Sequence, residues 1–310
     1  MANTISNYAD ILQSALDTAM IAKATSGWME ANAGQVIYTG GKTVKIPKLS
    51  TQGLANYSRE NGYVGGSATF SYESRTLTQD RGRKFAIDVM DTDETNFQLT
   101  VTNVLADFQN NHVVPEVDAY RYSKLFNDIK TANAGNVSYG RAVSLKNLLA
   151  DINGIQDIVG DMPLVISMNT LTYADICSDS SISRHLDVAN FTKGDLTFAV
   201  KTIDGVPIIP VPSARMKTEY TFLDGTTNSG GNNQTAGGFA AKSTAKTINW
   251  IITPKNAPIA VSKTDKVRIF SSDIYQNANS NVVDYRKVHD IWLADEKAKL
   301  CKVAVKESNS

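Results

Sequence analysis

Between Gln35 and Val89 the chain runs in short alternating pieces that have little to fold against. VIY (36–38), TVKIP (43–47), ATFSYES (68–74) and KFAIDVM (84–90) alternate apolar and polar residues, as half-exposed strands do. Gly40-Gly41, and the stretch from Asn61-Gly62 to Gly65-Gly66, punctuate them as turns. Few large aliphatic residues occur among them, and a two-stranded ribbon is marginal by itself in water. A segment of this kind needs a partner surface.

The rest of the chain is large enough to supply a core. At 310 residues it can bury a sizeable interior. Lys plus Arg number 31 and Asp plus Glu number 31, so there is no overall basic surplus of the kind that neutralises phosphates. The first thirty residues lack the basic start and apolar run of a secretory signal. No stretch approaches the roughly 18 apolar residues of a membrane-spanning helix, so no membrane partner is expected. Cys177 and Cys301 are too few for a disulfide framework or a zinc site, and free thiols are expected.

Outside the ribbon the periodicity changes. Residues 4–23 place Ile5, Tyr8, Leu12, Ala15, Ala19 and Met20 at helical spacing. Asp91-Thr92-Asp93-Glu94 has the composition of a helix start, with Asp91 as the cap. Phe97, Val101, Val104, Leu105, Phe108 and His112 follow on one face. Pro115 is expected to kink or restart that helix before Tyr122, Leu125, Phe126 and Ile129. Ser144 caps a further helix bearing Leu145, Leu148, Leu149, Ile152 and Ile155, and LVISM (164–168) reads as a buried strand. VPIIPVP (206–212) reads as a strand at a sheet edge or bulge because of its prolines. DGTTNSGGNNQTAGG (224–238) has the composition of a mobile surface loop with little packing energy. INWIIT (248–253), KVRIF (266–270), KVHDIWLA (287–294) and LCKVAV (300–305) are strands, and the last two are expected to form a hairpin.

None of the reactive side chains forms a recognisable catalytic or ligand motif. Gly40-Gly41-Lys42-Thr43 lacks the earlier glycine and the following helix of a phosphate loop, which leaves a tight turn. Asp91, Asp93 and Glu94 lack a glycine-centred calcium loop and are explained by helix capping. His112, His185 and His289 show no i, i+4 zinc spacing, and no serine sits in a hydrolase elbow. No cofactor, metal or enzymatic activity is expected.

The order of parts resembles the major capsid proteins of tailed double-stranded DNA phages, the Hong Kong 97-type fold. The segment from Asp91 through VVPEVDAYRYSKL (113–125) looks like that family's spine helix. VKTIDGVPIIPVPSARM (200–216) looks like its axial strand and turn. INWIITPKNAPIAVSKTDKVRIF (248–270) and VDYRKVHDIWLADEKAKLCKVAV (283–305) look like its return to the peripheral domain. The resemblance implies an α+β chain with an N-terminal arm (1–34), an extended β-ribbon loop (35–90), a spine helix of the peripheral domain (91–135), an axial domain (136–260) and C-terminal strands returning to the peripheral domain (261–310). It further implies pentamers and hexamers of an icosahedral shell that encloses DNA without specific binding. Such a shell is assembled in the host cytoplasm with a separate scaffolding protein and a portal. Within the same fold an encapsulin-like compartment is the alternative, and a monomeric binding module or hydrolase is a more distant one. Covalent cross-linking is not expected, since nothing identifies an acceptor for Lys42, Lys45 or Lys48.

The neutral total conceals a segregation of charge. Residues 35–90 hold Lys42, Lys45, Lys48, Arg59, Arg75, Arg81, Arg83 and Lys84 against four acids, a net of +4. Residues 91–130 hold seven acids, Asp91, Asp93 and Glu94 among them, against three bases, a net of −4. These eight bases and three leading acids are the candidate interface residues, the basic ribbon being steered onto a neighbour's acidic helix. With residues 1–34 at a net of −2 as well, the subunit is expected to have no useful affinity for duplex DNA. Fluorescence anisotropy near physiological ionic strength checks this, and salt-dependent submicromolar binding would contradict it.

Overall fold

The computed structural model describes residues 23–308 except 39, 95–99, 161, 179–185, 194–195, 230–231 and 276–277. Apart from Lys23, the helix expected over 4–23 lies outside the described residues.

The ribbon forms as its alternation requires. β1 (Ile37–Tyr38) and β2 (Thr43–Thr51) pair across a turn in which Gly40 and Gly41 take φ of 98° and 55°, conformations that favour glycine. β2 pairs antiparallel with β3 (Ala68–Thr76) from Thr43↔Thr76 to Thr51↔Ala68. Only the root is buried, where Val44, Ile46 and Leu77 pack with Val36, Ile259, Val261, Val288 and Trp292. The fourth alternating run does not join this sheet. β4 (Gln79–Asp88) pairs instead with the strand Ser280–Leu293 near the other end of the chain.

The acidic run makes a helix of its own, so the expected start of the long helix is corrected. Val89–Glu94 is a short helix, α1, at whose start Asp88 accepts from the Met90 amide at 2.9 Å. Asp91 thus lies within α1 and does not cap the long helix. That helix opens at α2 (Val101–Phe108), where the Thr100 hydroxyl accepts from the Asn103 amide at 3.3 Å. A π-turn, Gln109–Val113, leads without interruption into α3 (Val114–Ala132). Pro115 falls just after the π-turn, so the expected restart is a change of hydrogen-bond register within one continuous helix.

The α/β block follows as β5 (Val137–Ser138), α4 (Leu145–Val159), β6 (Leu164–Asn169), α5 (Thr170–Cys177), β7 (Leu186–Lys193), β8 (Leu196–Ile203) and β9 (Val206–Val211). Ser144 caps α4 as expected, accepting from the Asn147 amide at 3.2 Å. β10 (Tyr220–Phe222) pairs with β13 (Phe239–Ala241), and the short β11 (Asn228–Ser229) and β12 (Asn232–Asn233) pair between them. The chain ends in β14 (Ile248–Pro254), β15 (Pro258–Phe270), β16 (Ser280–Leu293), α6 (Asp295–Ala298) and β17 (Lys302–Val305).

Two sheets sandwich the long helix into place. The seven-stranded one runs β5-β17-β14-β6-β9-β8-β7. β6 and β14 are buried at every position because both faces are covered. Trp250 and Ile252 meet Leu148, Ile152 and Ile155 of α4, while Ile251 joins the cluster of Leu125, Phe126 and Ile129 of α3. The three-stranded sheet β15-β16-β4 packs Val267, Val283 and Tyr285 against Leu105, Val113 and Val117.

Two strand expectations are corrected. β9 lies inside its sheet, not at the edge, but β8 pairs only Pro207 and Val206, so Pro210 meets no partner on that side. β16 and β17 form no hairpin. α6 carries the chain from one sheet to the other, with Ala298 and Cys301 buried on the way.

Two fully buried carboxylates tie these parts together. Asp118 of α3 accepts from the Thr25 and Ser26 amides, each at 3.0 Å, and from the Arg215 guanidinium at 3.1 Å. Asp290 of β16 accepts from Tyr120 at 2.7 Å, Lys124 at 2.6 Å and the Thr78 amide at 2.9 Å. Arg121, also buried, pairs with Glu30. Burial pushes the Glu30 carboxyl up, but Arg121 and Lys287 outweigh it and hold it below its ordinary pKa. Removing a buried partner strands the others, so Asp118→Ala is expected to cost about 3–5 kcal/mol in denaturant unfolding.

Candidate assembly interface

Beyond its buried root the ribbon projects with one apolar face uncovered. The register sets Pro47 opposite Tyr72 and Leu49 opposite Phe70 on the same face. Leu49 is 68% exposed, Phe70 57% and Tyr72 47%. Phe70 and Tyr72 meet edge to face with ring centroids 4.9 Å apart, and the Lys45 amine lies 5.8 Å from the Tyr72 ring. At the tip, a bridge between Ser58 and Gly62 closes the turn, and Tyr57 and Tyr63 pair at 5.0 Å. Leu54 and Tyr63 are almost wholly exposed. Fully burying a large apolar side chain is worth about 1.5–3 kcal/mol, and a neighbour covering this face gains about half of that at each of Leu49, Phe70 and Tyr72.

The candidate charged residues do not converge on one site. Lys42 pairs with Asp80 at 2.9 Å, and Arg286 holds the same carboxylate at 2.8 Å, which keeps Asp80 well below the usual carboxylate range. Arg75 lies 3.2 Å from Glu73, and Lys48 lies 3.9 Å from Glu73 and 3.8 Å from Glu296. Arg81 pairs with Glu116 of α3 and donates to the Leu223 and Gly238 carbonyls at 3.0 and 3.1 Å. Arg83 donates to the Thr235 carbonyl at 3.4 Å, and Lys84 to the Tyr275 hydroxyl at 3.2 Å. Lys45 and Arg59 stay on the ribbon, Arg59 exposed at its tip, while Asp91, Asp93 and Glu94 are exposed on α1. Among the described residues, the contact of Arg81 with Glu116 joins the basic segment to the acidic helix within a single subunit. Reversing Arg81 would break contacts inside the monomer.

The glycine-rich loop is also more engaged than its composition implies. Its carbonyls, which no sequence pattern flags, are the acceptors for Arg81 and Arg83. The residues that sequence reasoning did not single out are the ribbon's Leu49, Leu54, Tyr57, Tyr63, Phe70 and Tyr72. Phe70 and Tyr72 did carry a signal, being apolar at strand period two, but that signal is the same for a covered face and a bare one.

Among the described residues no group of three His, Cys, Asp or Glu side chains comes together to hold a metal, and no described helix is long and apolar enough to cross a membrane. His185 lies outside the described residues. Cys301 is buried, which pushes its thiol up to about 12, whereas Cys177 is only partly covered.

No family model and no curated protein matches the sequence. Solved structures do match its fold. The capsid of cyanophage P-SCSP1u aligns with a TM-score of 0.52 and 12% identity, over 88% of this chain and 85% of that one. The mature capsid of bacteriophage PhiM1 aligns with a TM-score of 0.54 and 11% identity, over 88% and 84%. The chain has the fold seen in these phage capsids. A structure from Mycobacterium phage Bobi aligns over 91% of each chain at 10% identity and a TM-score of 0.53. Among the described residues the outer part of the ribbon β2–β3 projects with Leu49, Phe70 and Tyr72 exposed.

Because Leu49 and Phe70 already face solvent in the isolated subunit, Leu49→Ser with Phe70→Ser is expected to leave the unfolding midpoint nearly unchanged while abolishing higher-order assembly. Thermal unfolding and sedimentation velocity on the same sample check the two halves of that expectation.

Proposed function

We propose that this chain is the major capsid protein of a tailed double-stranded DNA phage, built on the Hong Kong 97 plan. In this reading β1–β3 are the extended loop, α2 and α3 the spine helix, the β15-β16-β4 sheet the peripheral domain and the seven-stranded sheet the axial domain, which moves β4 out of the expected loop 35–90 and β17 out of the expected peripheral return 261–310. Copies join as pentamers and hexamers of an icosahedral shell. The shell encloses DNA without specific binding, is built in the host cytoplasm with a separate scaffolding protein and a portal, and ends as the capsid of the virion.

One observation supports the proposal: a subunit with a phage-capsid fold holds a ribbon on which Leu49, Phe70 and Tyr72 stay exposed among the described residues. Each copy thereby offers a surface that a neighbour can bury, and repetition around a ring satisfies all of them at once. Arg59 on the tip and the acids of α1 add opposite charge at such contacts. Single surface pairs contribute only about 0–1 kcal/mol, so their part is register and rate. The neutral total suits a container wall, which must neither grip nor repel the packaged polymer.

Electron microscopy of the purified protein, combined with the nucleic-acid content of whatever particles form, tests the proposal. Closed icosahedral particles are expected, filled with DNA when made in infected cells. A protein that stays monomeric at high concentration would overturn the shell reading. Particles carrying a protein cargo in place of DNA would assign a compartment shell instead.

A further inference from the structure

We infer that the cavity between the β15-β16-β4 sheet, the long helix and the 223–238 loop is a binding site for a small aromatic anion carrying one further hydrogen-bonding group. The inference stands apart from the shell reading, since every group it uses lies within one subunit.

The alternation of two paired strands builds one wall. Arg81 stands opposite Lys287 and Arg83 opposite Tyr285, so Arg81, Arg83 and Phe85 of β4 share a face with Tyr285, Lys287 and His289 of β16. All six line the cavity, whose volume is about 370 Å³, enough for a small organic molecule. The facing wall comes from the long helix at its π-turn, with Phe108 just before the turn and His112 and Val113 within it. Turns of this kind occur frequently at functional sites. Phe108 meets Phe85 at 5.0 Å and Tyr285 at 5.8 Å, both edge to face, which makes one end of the cavity aromatic.

Charge decides what kind of ring belongs there. Arg81 is paired with Glu116 and Lys287 with Asp265. Asp80 is held by Lys42 and Arg286, and the exposed Asp224 accepts from the Thr226 and Thr227 amides of its own loop at 2.9 and 2.8 Å. Arg83 makes no ion pair among the described residues and only a long bond to the Thr235 carbonyl. The loop leaves room for its guanidinium by lacking side chains. A Cβ on Gly225 or Gly237 would lie 2.9 or 3.1 Å from Arg83 Nη1, and both glycines have positive φ, so a side chain at either would also strain the backbone. A cation kept clear beside an aromatic floor suits a carboxylate or sulfonate borne on a ring.

The far end of the cavity supplies the second polar contact. His289 is only 3% exposed, and its Nδ1 has no hydrogen-bond partner among the described residues. Leaving a buried polar atom unanswered is costly, so a partner arriving from outside is favoured. Burial first, then the positive charges of Arg121, Lys287, Arg81 and Lys124, holds this imidazole well below its ordinary pKa. The ring is therefore neutral and pairs with a hydroxyl or an N–H group, not with the anion. His289 lies four positions from Tyr285 along β16, roughly 13 Å, a span that two fused or linked rings cover together with the reach of Arg83.

The probe is anilinonaphthalene sulfonate, an aromatic monoanion with one N–H group whose fluorescence rises in apolar surroundings, titrated onto the full chain. Saturable binding of one molecule per subunit is expected, displaced by naphthoate but not by sulfate, which has charge without a ring, or by naphthalenemethanol, which has a ring without charge. Arg83→Gln is expected to weaken binding about tenfold or more, because it removes the charge that the sulfonate meets. His289→Phe keeps a ring and removes the nitrogen, and weaker binding is expected there too. Arg83 is exposed, so its variant keeps the test decisive even where the His289 variant does not fold. Leu49→Ser with Phe70→Ser is expected to leave binding unchanged, which separates the cavity from the bare face of the ribbon. Absence of saturable binding, equal affinity in Arg83→Gln, or loss of binding in the ribbon variant would overturn the site, and each of these outcomes leaves the shell reading standing.

Discussion

Asp118 and Asp290 have no solvent exposure, and the positions of everything around the long helix follow from the need to answer them. A buried carboxylate is tolerable only when donors surround it. Asp118 draws its donors from residues 25–26 and from Arg215, which joins the N-terminal segment and the end of the α/β block to the same turn of α3. Asp290 draws on α3 and on Thr78, just before β4, and so sets where the chain leaves the ribbon and enters the body. Arg121 with Glu30 completes a polar seam along a helix that also packs Tyr122, Leu125, Phe126 and Ile129 into the core. Hydrophobic packing alone would let the helix slide or rotate at modest cost. Directional bonds to buried charge allow one register.

That rigid body is what lets the ribbon remain bare. The root holds eight buried apolar residues, yet the outer half of β2 and most of β3 stay exposed. A flat exposed strand pair with an aromatic face is ordinarily an aggregation hazard. In a shell subunit the same property becomes directional association, because the face is offered at a fixed angle by a fixed root. Several of the charged residues are paired inside the subunit. Arg81 holds Glu116 and the loop carbonyls, and Lys42 with Arg286 holds Asp80. The segregation of charge along the sequence is therefore partly the record of an intramolecular contact.

Much of this was legible in the residues. Period-two alternation identified β2 and β3, glycine pairs marked the β1–β2 turn, Ser144 announced its helix, LVISM read as a buried strand and INWIIT as a strand. The misreadings share one cause. KFAIDVM alternates just as the ribbon strands do, and nothing in that alternation says that its partner is β16 and not β3. A short polar connection between KVHDIWLA and LCKVAV suits a hairpin as well as it suits α6 crossing between sheets. Asp91 has the chemistry of a helix cap, but Thr100 holds the position where the long helix opens.

The sequence by itself determined the local conformations and the faces: which residues point the same way, where the backbone must turn, and that the ribbon is short of apolar cover. These follow from steric and hydrogen-bonding preferences that act over a few neighbouring residues. Only the tertiary structure decided which strands pair, which apolar face is covered and which stays bare, and that Arg81 is answered within its own chain. Burial and pairing belong to two surfaces at once, and a linear pattern describes one surface at a time.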